Sequence, residues 1–269
     1  VPGAALSVAR QGPTATGNSE AGYFGGGFTP GPNLHSTMDK CTYSTDTTAA
    51  VPGAALSAVR SGVAAAGPRA NALPLVQFPM VPTPNTGYFG GGLGGSPLAA
   101  LATMDKVTYA SDTTAAVPGA ALSSAKYFLA ATGNSDAGYF GGGFDNSSPG
   151  YISTMDKVTY SSDTTAAVPG AALSTVRQRL AATGNSTDGY FGGGQESPGN
   201  VSTMDKLTYS SETTAAVPGA ILSSARNQIA ATGNSDAGYF GGGGSPGPVS
   251  TMDKVTYASD TTAAVPGAA

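Results

Sequence analysis

A single histidine and a single cysteine are all that this 269-residue chain offers to the chemistry of general bases, thiolates and soft metals. His35 lies in a Gly/Pro loop beside Pro30 and Pro32. With one imidazole, no His–His metal pair and no His–carboxylate dyad recurring from repeat to repeat can form. A Ser-His-Asp arrangement would have to pass through that same side chain. Cys41 stands alone, which excludes an internal disulfide framework and a multi-cysteine metal site. Val107, Val158 and Val255 occupy its phase elsewhere, so it reads as a small core residue. The Gly-Gly-Gly runs lack the Lys-Ser/Thr of a phosphate loop, and no helix follows to receive an anion. Loop oxygens such as those of Asp145 and Asn146 recur at no fixed spacing, unlike the ligands of a calcium loop. The expectation is a protein that is not an enzyme and uses no cofactor or metal.

Charged residues do recur, and in matching numbers. Arg10, Arg60, Arg177 and Arg226 share one phase with Lys126, and Asp39, Asp105, Asp156, Asp205 and Asp253 share another. One cation just before the first strand of each unit, facing one carboxylate, predicts inter-blade ion pairs at partly buried positions. A ring of cations gathering an anion is the functional alternative. Lys126 weakens it, because an ammonium cannot reproduce the bidentate fork of a guanidinium.

The elements that must position these residues follow from an internal repeat. Tyr-Phe-Gly-Gly-Gly begins at Tyr23, Tyr88, Tyr139, Tyr190 and Tyr239, and Met-Asp-Lys at Met38, Met104, Met155, Met204 and Met252. Val-Pro-Gly-Ala begins at Val1, Val51, Val117, Val168, Val217 and Val265, at spacings of 50, 66, 51, 49 and 48 residues. The chain therefore divides into five units, about 6–56, 57–122, 123–173, 174–222 and 223–269, in one repeat domain, with an insertion at 68–86 in the second. In the third unit the pattern predicts strands at 128–132, 138–142, 154–161 and 164–168. Gly133-Asn134-Ser135-Asp136 supplies the first turn, and Pro169-Gly170 ends an edge strand. Alternation puts Asp156, Val158 and Tyr160 on one face of the third strand and Met155, Lys157 and Thr159 on the other.

Two bulky residues before a glycine pair, an alternating strand ending in Tyr and a Pro bend leading to Arg resemble the Kelch repeat. The residues are Tyr139-Phe140-Gly141-Gly142, Val158-Thr159-Tyr160 and Pro169 to Arg177. The Kelch Trp is missing, since the chain contains none, and Thr-Thr-Ala-Ala stands in that region. The resemblance covers all five units and implies an all-β fold, a β-propeller of about five four-stranded Kelch-like blades. Four short strands cannot bury their own faces, which argues independently for units packed on one another. A linear β-solenoid is the structural competitor.

Composition excludes some partners. Net charge is −4, pI is about 4.8 and no Lys/Arg cluster occurs, so neither nucleic acid nor anionic lipid is expected. No apolar run approaches a bilayer span, so no membrane insertion is expected. Six copies of Val-Pro-Gly-Ala are one more than a closed five-unit ring needs. The chain is therefore expected to be a window on a longer array, or to meet neighbouring subunits at its ends.

Specificity is expected where the repeat breaks: the loops after Tyr-Phe-Gly-Gly-Gly, carrying Phe28, Phe144, Asn146 and Tyr151, and the insertion, carrying Phe78 and Met80. The first functional expectation is a non-enzymatic structural or adhesive propeller of an extracellular, filament or virion surface assembly, self-associating or contacting neighbouring subunits. The alternative is a lectin-like module whose loop aromatics stack on neutral glycan. Sequons at Asn146, Asn185 and Asn200 permit glycosylation of an exported chain.

Overall fold

The computed structural model describes residues 3–31, 33–67, 85–147 and 150–268. Within them the chain is all-β, built from five four-stranded antiparallel sheets, one to each unit. In the third unit the strands are Ala130–Gly133, Ala137–Gly141, Met155–Thr159 and Thr164–Ala167, paired in chain order. The first turn forms as its residues dictate: Asn134 Oδ1 accepts the N–H groups of Asp136 and Ala137 at 2.9 and 3.0 Å. At the end of the fourth strand, Pro169–Ala171 closes into a 3-10 turn that strand periodicity alone does not reveal. Proline suits its first position, where no N–H donor is needed. No helix of the described residues is long and apolar enough to cross a membrane.

The recurring Tyr-Phe pair divides between the two faces of its sheet. Phe140 joins Tyr88, Val158 and Tyr160 in one core cluster, whereas Tyr139 joins Met155, Leu173 and Phe191 in another. The four clusters of buried residues each unite consecutive units, so both faces of an internal sheet are covered by its neighbours. Close approach explains the first glycine of the triplet. A Cβ on Gly141 would lie 2.6 Å from the Met155 methyl and 3.1 Å from the Phe191 ring. The second adopts φ +66°, a left-handed conformation open to glycine at little cost.

The first strands of the five units, Thr14–Gly17, Ala64–Ala66, Ala130–Gly133, Ala181–Gly184 and Ala230–Gly233, lie innermost. Each packs against the next in sequence. One cavity sits where these strands begin and another where they end, and residues of all five units line both. This arrangement is compatible with a propeller-like repeat fold.

The insertion expected at 68–86 ends earlier. Thr86 opens the second unit's strand Thr86–Gly90, and the Asn85 carbonyl accepts the Tyr109 N–H as the Asp136 carbonyl accepts that of Tyr160. Residues 68–84, with Phe78 and Met80, lie outside the described residues.

One position predicts a stability difference. In three units the tyrosine after the third strand sends its hydroxyl to a threonine on the preceding unit's innermost strand: Tyr109 to Thr16, Tyr209 to Thr132 and Tyr257 to Thr183, at 2.9, 3.3 and 3.4 Å. Tyr160 meets Ala66 instead, and its buried hydroxyl has no partner among the described residues. Ala66→Thr is expected to stabilise the fold by about 1 kcal/mol by restoring the bond. Tyr160→Phe should be neutral, whereas Tyr209→Phe should lose about 1 kcal/mol. Urea midpoints of the three variants check the assignment.

Candidate functional site

The recurring cations and carboxylates do meet, but inside units rather than between them. Arg10–Asp39, Lys126–Asp156, Arg177–Asp205 and Arg226–Asp253 pair at 2.6, 2.7, 2.6 and 2.5 Å, and Arg60 pairs with Asp105. Every one of these side chains is fully buried, not partly as expected. The pair ties the segment entering a unit to the third strand of that same unit. Serine N–H groups, such as those of Ser57 and Ser174, donate to the same carboxylates. Burial lowers the pKa of Arg60, Arg177 and Lys126 despite the adjacent aspartate. Units are joined instead through the backbone carbonyls of these cations: Gly27, Gly92, Gly143 and Gly194 donate to Arg60, Lys126, Arg177 and Arg226.

Ion pairs between units involve other residues. Lys40 reaches Asp112, Lys106 reaches Asp163 and Lys206 reaches Asp260, at 2.8, 2.9 and 3.1 Å, and Lys157 reaches Glu212. The hydroxyls of Tyr23, Tyr88 and Tyr190 donate to the first three of these carboxylates. Burial and the Glu212 charge push Tyr139 up to about 12. Asp112 and Asp163 move the other way. Burial raises them, but hydrogen bonds from the lysine and tyrosine, together with the lysine charge, hold both below the usual carboxylate value.

A carboxylate depressed in the folded state stabilises fully above its unfolded pKa and loses that contribution as pH falls through the lower folded value. These carboxylates are one-third exposed, so solvent screening keeps each contribution below about 1 kcal/mol. Between about pH 5 and pH 3, the fall in Tm should therefore be shallower for Asp112→Asn than for the parent chain.

The signal for these pairs lay in the sequence, in the third residue of Met-Asp-Lys and the acid before Thr-Thr. They are joined across units, however, so strand alternation within one unit does not connect them.

What remains after this constant framework is accounted for is one end of the innermost strands. There the units differ: Gln11-Gly12-Pro13, Ser61-Gly62-Val63, Tyr127-Phe128-Leu129, Gln178-Arg179-Leu180 and Asn227-Gln228-Ile229. These segments converge on a single cavity, together with Phe28. At the opposite end the cavity is lined by the nearly constant Ala-Thr-Gly. The central position of each variable triplet is left-handed, with φ of +64°, +62°, +55°, +56° and +55°. Two units place glycine there, but three hold Phe128, Arg179 and Gln228 in the same strained conformation. A backbone circuit fixes them: Phe128 N donates to Gly62 O, Arg179 N to Phe128 O and Gln228 N to Arg179 O, at 2.8, 2.8 and 2.9 Å. The Arg179 guanidinium sits 4.6 Å from the centre of the Phe128 ring.

No family model matches the chain, and no curated protein does. The site is read from its own geometry. Of the residues expected to carry specificity, Phe28 bridges to Gln11, and Phe144 to Tyr127 and Tyr151, so the variable loops adjoin the variable triplets. Phe144 and Tyr151 meet edge to face at 5.2 Å, and Tyr127 tilts against Phe144 at 5.6 Å. Asn146 is exposed at the loop tip. His35 does not line the cavity; its Nε2 lies 3.4 Å from Thr29 Oγ1 and its carbonyl accepts the Arg60 N–H. Among the described residues, no three His, Cys, Asp or Glu side chains group as metal ligands.

Sequence reasoning located the loops but passed over Phe128, Arg179 and Gln228. A residue-by-residue comparison of the three positions after each recurring cation would have singled them out.

Proposed function

We propose that the chain is a non-enzymatic structural or adhesive module, a β-propeller with Kelch-like blades, that meets its partner at the variable end of its central channel. An extracellular, filament or virion surface is the setting this reading implies. The observation that carries it is the left-handed position. Phe128, Arg179 and Gln228 keep large side chains where two sister units use glycine, at a strain of about 1 kcal/mol each. Strain retained in otherwise near-verbatim repeats fits side chains held for contact rather than for folding. The lectin-like alternative needs open aromatic faces for sugar. Phe144 and Tyr151 instead engage each other, which favours protein contact over glycan.

Gln228 is exposed, so Gln228→Gly should stabilise the chain by about 1 kcal/mol through release of backbone strain, as read by thermal unfolding. The functional reading is tested on an array of neutral glycans. No saturable binding is expected. Saturable binding lost in Phe28→Ala or Tyr151→Ala would replace the adhesive reading with the lectin-like one.

A further inference from the structure

Four interfaces between consecutive units repeat one design, and the first and fifth sheets carry its two unused halves. On one side of each interface stand a second-strand tyrosine, the methionine and the lysine. On the other stand a phenylalanine, an apolar residue in the third strand, the tyrosine ending that strand and an acid in the following turn. The tyrosines stack at 4.9, 5.2, 5.1 and 4.9 Å: Tyr23 on Tyr109, Tyr88 on Tyr160, Tyr139 on Tyr209 and Tyr190 on Tyr257. Phe89, Phe140, Phe191 and Phe240 are fully buried against the preceding unit.

The first sheet shows the second half uncovered. Tyr43 is 42% exposed where Tyr109 is 4% exposed. Phe24 and Cys41 are half-buried, whereas their counterparts Phe89 and Val107 are fully buried. The fifth sheet shows the first half uncovered. Tyr239 and Met252 are half-buried, and among the described residues Lys254 and Asp46 have no ion-pair partner. Residue type and charge therefore match across two surfaces that, among the described residues, share no ring contact or ion pair.

We propose that these faces dock between molecules, a second copy of this chain seating its fifth sheet on the first sheet of the next through Tyr239 on Tyr43 and Lys254 with Asp46. The contact is head to tail, so it builds open chains of molecules unless its rotation closes a ring. It stands independently of what the variable channel end binds. One detail sharpens the geometry. A Cβ on Gly3 would lie 3.4 Å from the Asp46 carbonyl oxygen, and one on Gly53 3.3 Å from that of Asp112, whereas a Cβ on Gly267 would meet nothing within 4 Å among the described residues. A docked copy brings its own Pro266–Ala268 turn to the seat that Gly3 holds, so removal of residues 1–5 should tighten the association.

Sedimentation velocity over a wide concentration range, combined with thiol labelling of Cys41, tests the proposal on the intact chain. Mass should rise with concentration, and Cys41, the only thiol, should become about tenfold slower to label as the seam fills. Asp46→Lys and Lys254→Glu should each abolish both effects, and an equimolar mixture of the two variants should restore them, because alternating copies meet through the native pair at one contact and the reversed pair at the next. Both positions lie at the surface, outside any core cluster, so folding is retained. A monomer with freely reactive Cys41 at every concentration overturns the proposal, as does a monomer in which Cys41 is already protected. Association that survives either charge reversal, that the mixture fails to restore, or that weakens in the shortened chain also overturns it.

Discussion

Asp105→Asn is expected to destabilise the chain by about 3–5 kcal/mol, although it removes no volume. Asp105 and Arg60 are both fully buried. The guanidinium donates to the carbonyls of Gly91, Thr103 and Phe89 as well as to the carboxylate. Asparagine leaves these carbonyl contacts in place but removes the one charge that, among the described residues, opposes a buried cation. Burial already lowers the Arg60 pKa with the carboxylate present. Deprotonating so strong a base remains far out of reach at neutral pH, so the charge persists and its desolvation is uncompensated.

Lysine at this phase makes a weaker job of the same task. Lys126 Nζ lies 2.7 Å from Asp156, but its approaches to the Phe140 and Thr154 carbonyls stretch to 3.5 Å. Urea unfolding of Asp105→Asn, with the m-value compared to that of the parent, measures the loss. A loss below about 1 kcal/mol would mean that the pair is not the clamp its geometry describes.

The parts of this architecture legible in the sequence were those governed by local rules. Alternation placed Asp156, Val158 and Tyr160 on one face, and Val158 and Tyr160 do enter one core cluster while Met155 enters another. Asn134 and Pro169 marked turns because their own covalent chemistry shapes the backbone. The cations and carboxylates at fixed phase were recognisable as partners, but periodicity could not say whether a partner lay in the same unit or the next. That depends on the angle at which one sheet packs on another. The Lys40–Asp112 pair went unseen for the same reason, its residues being separated by 72 positions. Left-handed Arg179 was hidden differently. Residue type argues against that conformation, and the Phe128 carbonyl and the Gln228 N–H on either side impose it.

Phe140→Ala is expected to cost about 3–5 kcal/mol, and Phe24→Ala, the same substitution at the same phase, about 1 kcal/mol or less. The two differ only in what covers them. Phe140 is fully buried in a cluster with Tyr88, Met104 and Leu129, and its ring edge approaches within 2.9 Å of the point where a Cβ on Gly90 would stand. Gly90 thus forms the floor of a slot that the phenyl ring fills, and backbone on both sides prevents collapse when the ring is removed. Truncation there leaves a cavity as well as losing buried apolar area. Phe24 occupies the corresponding place on the first sheet, where among the described residues no glycine of another sheet floors the ring, and it stays half-buried. Its removal exposes little that is not already wet. Denaturant unfolding of the two variants, at a concentration low enough to keep molecules apart, reads the contrast directly. Equal losses at the two positions would show that the phenyl ring stabilises its own sheet, and the face-to-face packing of consecutive units would no longer be the source of the stability.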